Sequence, residues 1–167
     1  MPEKETIERA QEDAREGKAP STQAGEFVRE EIEHVREGKR GARSPQQAIA
    51  IGLSKARRAG VKLPPPKKGK TSEATRRKAA RDVRKGQSSR KRKTSAKRSR
   101  AVRRALKREG HRSASRSALS KQAHRAARQR SSASRSQAAK KAARTKGAAG
   151  RSRAARKAAR TRSRGAR

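Results

Sequence analysis

The separation of charge from apolar residues restricts the fold of this 167-residue chain more than any other feature. Residues 67–167 contain 39 Lys and Arg and 3 acidic residues, a net charge of +36, whereas residues 1–66 contain 13 basic and 11 acidic residues, a net of +2. Burying a large apolar side chain contributes about 1.5–3 kcal/mol, and ordering one residue costs about 1–2 kcal/mol. The basic part therefore cannot build a core from its four large apolar residues, which are Val83, Val102, Leu106 and Leu119.

This imbalance predicts a mostly α-helical chain with three parts. Residues 1–63 should form a small head of about three helices, and residues 64–70, PPPKKGK, should form a stiff linker. Residues 71–167 should form a largely disordered polycationic tail with helix-forming segments.

Helix signals in the head begin with residues 3–16, which follow a proline and end before Gly17. A second helix is predicted at about 23–37, capped by Ser21 or Thr22. Its apolar positions form one stripe along the helix, at Val28, Ile32 and Val35.

The third helix has the clearest signals, in the stretch SPQQAIAIGLSKARRAG (44–60). Ser44 is a predicted N-cap, Pro45 suits the first helical position, and Gln47 can complete a capping box. Gly60 fits the position just after the helix. The apolar face of this helix predicts the core of the head, together with Phe27 and the stripe of the second helix. Two alternatives remain open: a helix-turn-helix-like reader, and a docking or dimerisation face.

The tail consists of serine-led segments in which a basic-Ala-Ala-Arg unit recurs. Ala and Arg favour helix, but like charges at i,i+4 repel. We therefore expect these segments to lie near the helix–coil balance, so that a polyanion would shift them to helix. The segments are 72–86, 95–110, 113–130, 132–147 and 152–162.

The excess of positive charge predicts nucleic-acid binding through phosphate contacts and counterion release. Phe27 is the sole aromatic residue, so stacking platforms for single strands are absent and double-stranded DNA is favoured, with RNA as an alternative. Anionic membranes or polyphosphate could compete for the same charge. Lys55, Arg57 and Arg58 are possible contacts from the head. The predicted tail contacts are Arg76, Arg77, Lys78, Arg81, Arg90, Lys91, Arg92, Lys93, Arg103, Arg104, Arg125, Arg128, Lys140, Lys141, Arg144, Arg153, Arg156, Lys157 and Arg160.

Other classes of site lack their residues. There is no cysteine, which removes disulfides and thiolate zinc sites, and no phosphate-binding loop or catalytic triad is visible. The carboxylates of residues 3–37 and His34 are expected on solvated helix faces. The sequence therefore predicts no enzyme, no metal and no cofactor. No apolar run reaches the length of a membrane span, so we expect no membrane insertion and a cytoplasmic protein.

Residues 25–60 resemble a small bacterial family of basic proteins with no assigned activity. The shared motif is carried by Ser44, Gln47, Ala48, Ile49, Ala50, Ile51, Leu53, Ser54, Ala56, Arg57, Ala59 and Gly60. The tail separately resembles the tails of linker histones and of bacterial histone-like proteins, although it is richer in Arg and Ser. These resemblances imply a bacterial protein located at the nucleoid.

The sequence therefore predicts a histone-like, nucleoid-associated protein whose tail coats and compacts DNA without sequence preference. The head would set self-association, partner choice or autoinhibition by its acidic residues 1–37. The alternatives are an RNA- or ribosome-associated binder and a stress-related disordered protein.

Overall fold

The structure, a computed structural model, describes residues 2–88 and 95–165. Helices α1 (Lys4–Arg15), α2 (Pro20–Arg36) and α3 (Pro45–Arg58) form the head. Helices α4 (Glu73–Gln87) and α5 (Ala96–Lys107), a 3-10 turn (Arg112–Ala114), α6 (Arg116–Arg128) and α7 (Ser132–Gly165) follow. The described ranges contain no strand.

The prediction of a largely disordered tail is wrong, because residues 73–165 are mostly helical wherever the structure describes them. Helices α4, α5 and α7 start at or next to the predicted segment starts, whereas α6 starts three residues after 113 and the segment predicted from 152 lies inside α7. Ser72, Ser115 and Ser131 each accept a hydrogen bond from the backbone N–H three residues on, at 3.2–3.3 Å. These caps and the high helix propensity of Ala and Arg act locally. The prediction also assumed that the tail could be ordered only by burying a core of its own, whereas part of it packs on the head.

Small residues bring α2 and α3 into close contact. Ala48, Gly52 and Ala56 follow one another at i+4 spacing, and all three are buried. A Cβ at Gly52 would lie 2.6 Å from the Cα of Val28 on α2. The backbones can approach this closely only because the glycine has no side chain. The buried face of α3 is therefore centred on small residues, with Leu53 half-buried beside it.

The core of the head has two apolar clusters. Phe27, 1 % exposed, packs with Ala10, Ala24 and Ala56. The second cluster contains Val35, fully buried, and includes a residue from outside the head, as the contacts described below show. Phe27 and Val35 were both predicted for the core, and both are confirmed.

The predicted helix starts are partly confirmed. Ser44 caps α3 by accepting a hydrogen bond from the Gln47 N–H at 3.2 Å. The Gln47 side chain accepts from the Arg43 N–H at 2.8 Å instead of closing a capping box with Ser44. The predicted cap of α2 at Ser21 or Thr22 is wrong, because α2 begins earlier, with Ala19 as N-cap and a proline in its first turn.

The segment after the linker packs on the head. Asp82 of α4 accepts a hydrogen bond from Ser54 at 2.7 Å and one from Arg58 at 2.8 Å, both on α3. Arg43 donates to Glu109 at 3.1 Å. Ala114 is fully buried in the second core cluster of the head. Two of the three acidic residues of the basic part thus bind the head, so this part shares the head's core.

The chain forms two compact units, residues 1–122 and 123–167. The first unit contains the head and the segment that packs on it. The second contains α7, whose described side chains are nearly all exposed. Gly147, with φ 61° and ψ 177°, interrupts the helical backbone of α7. This kink lies at the boundary that the sequence predicts between segments 132–147 and 152–162.

Candidate nucleic-acid interface

Helix α5 is held to the head at its carboxyl end. The Gly41 N–H donates to Leu106 O at 2.9 Å, and the Ala42 N–H donates to Gly110 O at 3.2 Å. The backbone of Gly41 lies so close to Glu109 that an added Cβ would overlap the Glu109 carbonyl. The loop between α2 and α3 therefore forms the seat of α5.

The two sides of α5 differ in exposure and charge. Ser99 and Leu106 are half-buried and lie on one side of the helix, seven residues apart. The opposite side borders an open cavity of about 620 Å³, lined by residues of α5 and by Arg108 directly after it. Ala101 and Ala105 are the two short side chains of this lining. The cations beside them are Lys97, Arg100, Arg104 and Arg108, all exposed. We call these four residues the α5 basic face.

The sequence prediction missed most of the α5 basic face. It included Arg104 but neither Lys97, Arg100 nor Arg108. The available signal was their spacing of three to four residues, which places them on one side of a helix with alanines between them. The predicted tail contacts instead followed mainly the basic-Ala-Ala-Arg repeat.

The structure places most of the predicted tail contacts on helix surfaces. Arg76 is half-buried. Arg90, Lys91, Arg92 and Lys93 lie outside the described residues, and Lys157 lies in α7 without a described side chain. The exposed ones are Arg77, Lys78, Arg81, Arg103, Arg104, Arg125, Arg128, Lys140, Lys141, Arg144, Arg153, Arg156 and Arg160.

Arg76 and Arg77 are the predicted contacts that pair with a carboxylate of their own helix. Arg76 binds Glu73 through two hydrogen bonds of 2.9 Å, and Arg77 approaches the same carboxylate at 3.4 Å. The hydrogen bonds from Arg76 lower the pKa of Glu73, which in turn raises the pKa of Arg76. Beyond α4 the charge is less balanced, because residues 110–167 contain nineteen Lys and Arg and no acidic residue.

The three possible head contacts are engaged within the protein. Lys55, with 12 % of its side chain exposed, is paired with acidic residues of α2. Arg57 is buried and donates to the carbonyls of Leu63 and Pro64 at 3.3 Å, which holds the start of the linker. Burial lowers the pKa of Arg57. Arg58 binds Asp82. Their contact with phosphate stays a prediction, and it would require these internal bonds to open.

A buried group of charges, contrary to the predicted solvated face, joins α2 to α3. Glu30 and Glu31 are 2 % and 0 % exposed. The Nζ of Lys55 lies 2.6 Å from Glu30 Oε1 and 2.8 Å from Glu31 Oε2. Burial by itself raises the pKa of Glu30, but hydrogen bonds from Lys55 and from the Glu3 N–H outweigh burial and lower it.

His34 is also buried, which corrects the second part of that prediction. Its Nε2 lies 2.8 Å from Glu3 Oε1, and its Nδ1 lies 3.0 Å from a guanidinium nitrogen of Arg40. The bond with His34 lowers the pKa of Glu3. The described residues contain no group of three or more side chains able to hold a metal ion. The histidine therefore acts as a link between α1, α2 and the loop that follows α2.

One stretch of the chain matches the model of a protein family. Residues 21–68 match a family of unknown function (DUF6496). The match covers α2, α3 and the prolines after α3, so it includes Glu30, Glu31, His34 and Lys55. Neither the curated proteins nor the solved structures gave a match to the chain.

In the described part of the chain, no helix has the length and apolar character needed to cross a membrane. The longest, α7, is rich in Arg and Lys along its whole length.

Proposed function

We infer that the protein binds duplex nucleic acid, with DNA favoured, through phosphate contacts made by the cationic surfaces of α4–α7. The site residues are the exposed cations named above together with the α5 basic face. The function is that of a histone-like protein that coats and compacts DNA at the nucleoid. Sequence preference should be weak, because phosphates carry most of the binding energy and no sequence information.

One observation carries this proposal: the head has nearly enough carboxylates to balance its cations, and the helices after α4 do not. Lys55, Arg57 and Arg58 are bound to carboxylates or carbonyls of the protein. From residue 83 to residue 167 the chain has a single acidic residue, Glu109, and it binds Arg43 of the head. In the sequence, the cations of α5–α7 therefore far outnumber the carboxylates, and a polyanion would balance this excess of charge.

The helical state of these segments strengthens the argument. A helix fixes the spacing of its side chains, so arginines at i,i+3 and i,i+4 form stripes that can follow a phosphate backbone. A preformed helix therefore loses less conformational entropy on binding than a disordered chain does. The single aromatic residue is buried in the head, which leaves no stacking surface for unpaired bases in the described helices.

The test is a salt titration of the full chain with two DNA duplexes of equal length and unrelated sequence. Fluorescence anisotropy should give equal affinities for the two duplexes. The logarithm of the binding constant should fall steeply against the logarithm of salt concentration, by about 0.9 per phosphate neutralised.

Polyglutamate of similar length and vesicles containing anionic lipid serve as controls for general attraction to negative charge. The proposal fails if the duplexes do not bind at about 150 mM salt, or if these controls bind as tightly as DNA. A strong preference for one duplex would refute the absence of sequence readout.

A further inference from the structure

We propose that the α5 basic face is a discrete docking site for the major groove of B-form DNA. This inference rests on the proposed function and adds two statements to it. The first is that binding is concentrated on one helix rather than spread evenly over the cations. The second is that the geometry of this helix favours a DNA duplex over an RNA duplex.

Helix α5 is exposed along its length. None of its residues is buried, and the contacts described above attach it through its carboxyl end. An α-helix of 12 residues is about 18 Å long and about 10–12 Å across with its side chains. The major groove of B-form DNA is about 12 Å wide and about 8.5 Å deep. The diameter of α5 therefore matches the width of that groove.

The charges of the α5 basic face are spread along the helix axis. Lys97 and Arg108 are about 16 Å apart along the helix axis, at 1.5 Å per residue, with Arg100 and Arg104 between them. Residues 83–108 contain no acidic residue. Ala101 and Ala105 lie between these cations and are short, so this face can approach the base edges in the groove while the longer cationic side chains reach the phosphates along its sides.

The shape of the major groove separates DNA from RNA. The major groove of an A-form RNA duplex is deep and narrow, and side chains cannot enter it as they enter that of DNA. A protein that used only a diffuse positive surface would bind both duplexes according to their charge. A protein that inserts α5 should favour DNA at the same salt concentration.

The seat of α5 gives the site a fixed direction. The hydrogen bonds from Gly41 and Ala42 and the ion pair between Arg43 and Glu109 hold the carboxyl end of the helix. The Arg36 side chain donates to Ala114 O at 2.9 Å, which fixes the chain just after it. The α5 basic face is thus presented on a folded base.

The experiment compares two variants of the full chain that remove the same charges. The site variant carries Lys97→Gln, Arg100→Gln, Arg104→Gln and Arg108→Gln. The control variant carries Lys140→Gln, Arg144→Gln, Arg153→Gln and Arg160→Gln, at exposed positions of α7. Each loses one Lys and three Arg, and Gln is a good helix former. Circular dichroism checks that helix content is kept.

Binding is measured against a DNA duplex and an RNA duplex of the same sequence and length, over a range of salt concentrations. The wild-type chain should favour DNA. The site variant should lose about 3.6 from the DNA salt slope, at about 0.9 for each of four contacts, and should lose its preference for DNA. The control variant should lose less than half as much slope and keep the preference.

Two results would overturn the inference and leave the proposed function intact: equal loss of slope in both variants, or equal wild-type affinity for DNA and RNA. If the wild-type chain bound neither duplex, the proposed function and this inference would both fail. A charge-preserving variant, Arg100→Lys with Arg104→Lys and Arg108→Lys, guards against a folding artefact. It should keep the salt slope, since lysine also neutralises phosphate.

Discussion

Replacing Lys55 by Met should destabilise the head strongly, because its ammonium group makes the closest ion pair with each of two buried carboxylates; Arg40 approaches Glu31 only at 3.5 Å. Glu30 and Glu31 are 2 % and 0 % exposed, and their oxygens lie 2.6 and 2.8 Å from Lys55 Nζ. No well-oriented hydrogen bond reaches the Glu31 carboxylate in the described residues. Removing one partner of a buried ion pair costs about 3–5 kcal/mol, against a total stability of about 5–15 kcal/mol for a typical domain.

The assay is urea unfolding of the full chain followed by circular dichroism, with the free energy of unfolding taken from the midpoint and slope. Lys39→Met is the matched control, since Lys39 also contacts two carboxylates, those of Glu37 and Glu3, but is 56 % exposed. Exposed pairs contribute little to stability, so this control should scarcely change the midpoint. A loss below about 1 kcal/mol in Lys55→Met would refute the reasoning.

Two further measurements sharpen this prediction. Adding Glu30→Gln and Glu31→Gln to Lys55→Met should recover most of the lost stability, because no charge then remains buried without a partner. The pKa of Glu30 is lowered in the folded protein, so its ion pair stabilises the fold above the ordinary glutamate pKa. That contribution should be lost as the pH falls through the lowered folded value. Lys55→Met should lack this loss in acid.

Two other substitutions probe the packing of α3 and α4. Gly52→Ala should destabilise the chain by about 1–3 kcal/mol in urea unfolding, because the new Cβ meets the α2 backbone. Gly25→Ala, with open space around the glycine, should stabilise the chain by about 0.5–1 kcal/mol. A gain of stability from both substitutions would contradict the close approach of α2 and α3. Asp82→Asn should weaken the contact of α4 with α3 and speed the hydrogen exchange of α4 amides. Glu73→Gln removes an ion pair within α4 and should leave the contact with α3 intact. Equal exchange rates in the two variants would refute the role of Asp82.

Local signals in the sequence predicted several helix starts. Ser44 and Pro45 start α3 where expected, and α4 and α7 begin at the serine-led starts predicted for their segments, whereas α6 begins three residues later than predicted. Such signals act within one turn of helix, so they can be read without knowledge of the fold. Gly147 likewise interrupts α7 where a segment end was predicted.

Interactions between distant parts of the chain were not predictable in the same way. The estimate that the tail cannot order itself compared its four large apolar residues with its length, and gave no weight to contacts such as Asp82 with α3 or Ala114 with the head core. Glu30 and Glu31 looked like members of a solvated acidic run, since nothing local shows that Lys55, 24 or 25 residues later, will bury them. The sequence did contain one signal of these contacts. Asp82 and Glu109 are two of the three acidic residues among the many cations of residues 67–167, and such isolated carboxylates indicate specific ionic partners.

The seat of α5 at Gly41 and Ala42 couples the stability of the head to whatever α5 binds. Detaching α5 breaks backbone hydrogen bonds of the loop between α2 and α3, so the helix and the head should unfold together. A ligand that binds α5 in the folded state only would then raise the melting temperature of the head. The free energy of unfolding would increase by about 2.7 kcal/mol at a ligand concentration 100 times the Kd. By the same linkage, a partner that tightens the head would strengthen binding at α5 without touching it.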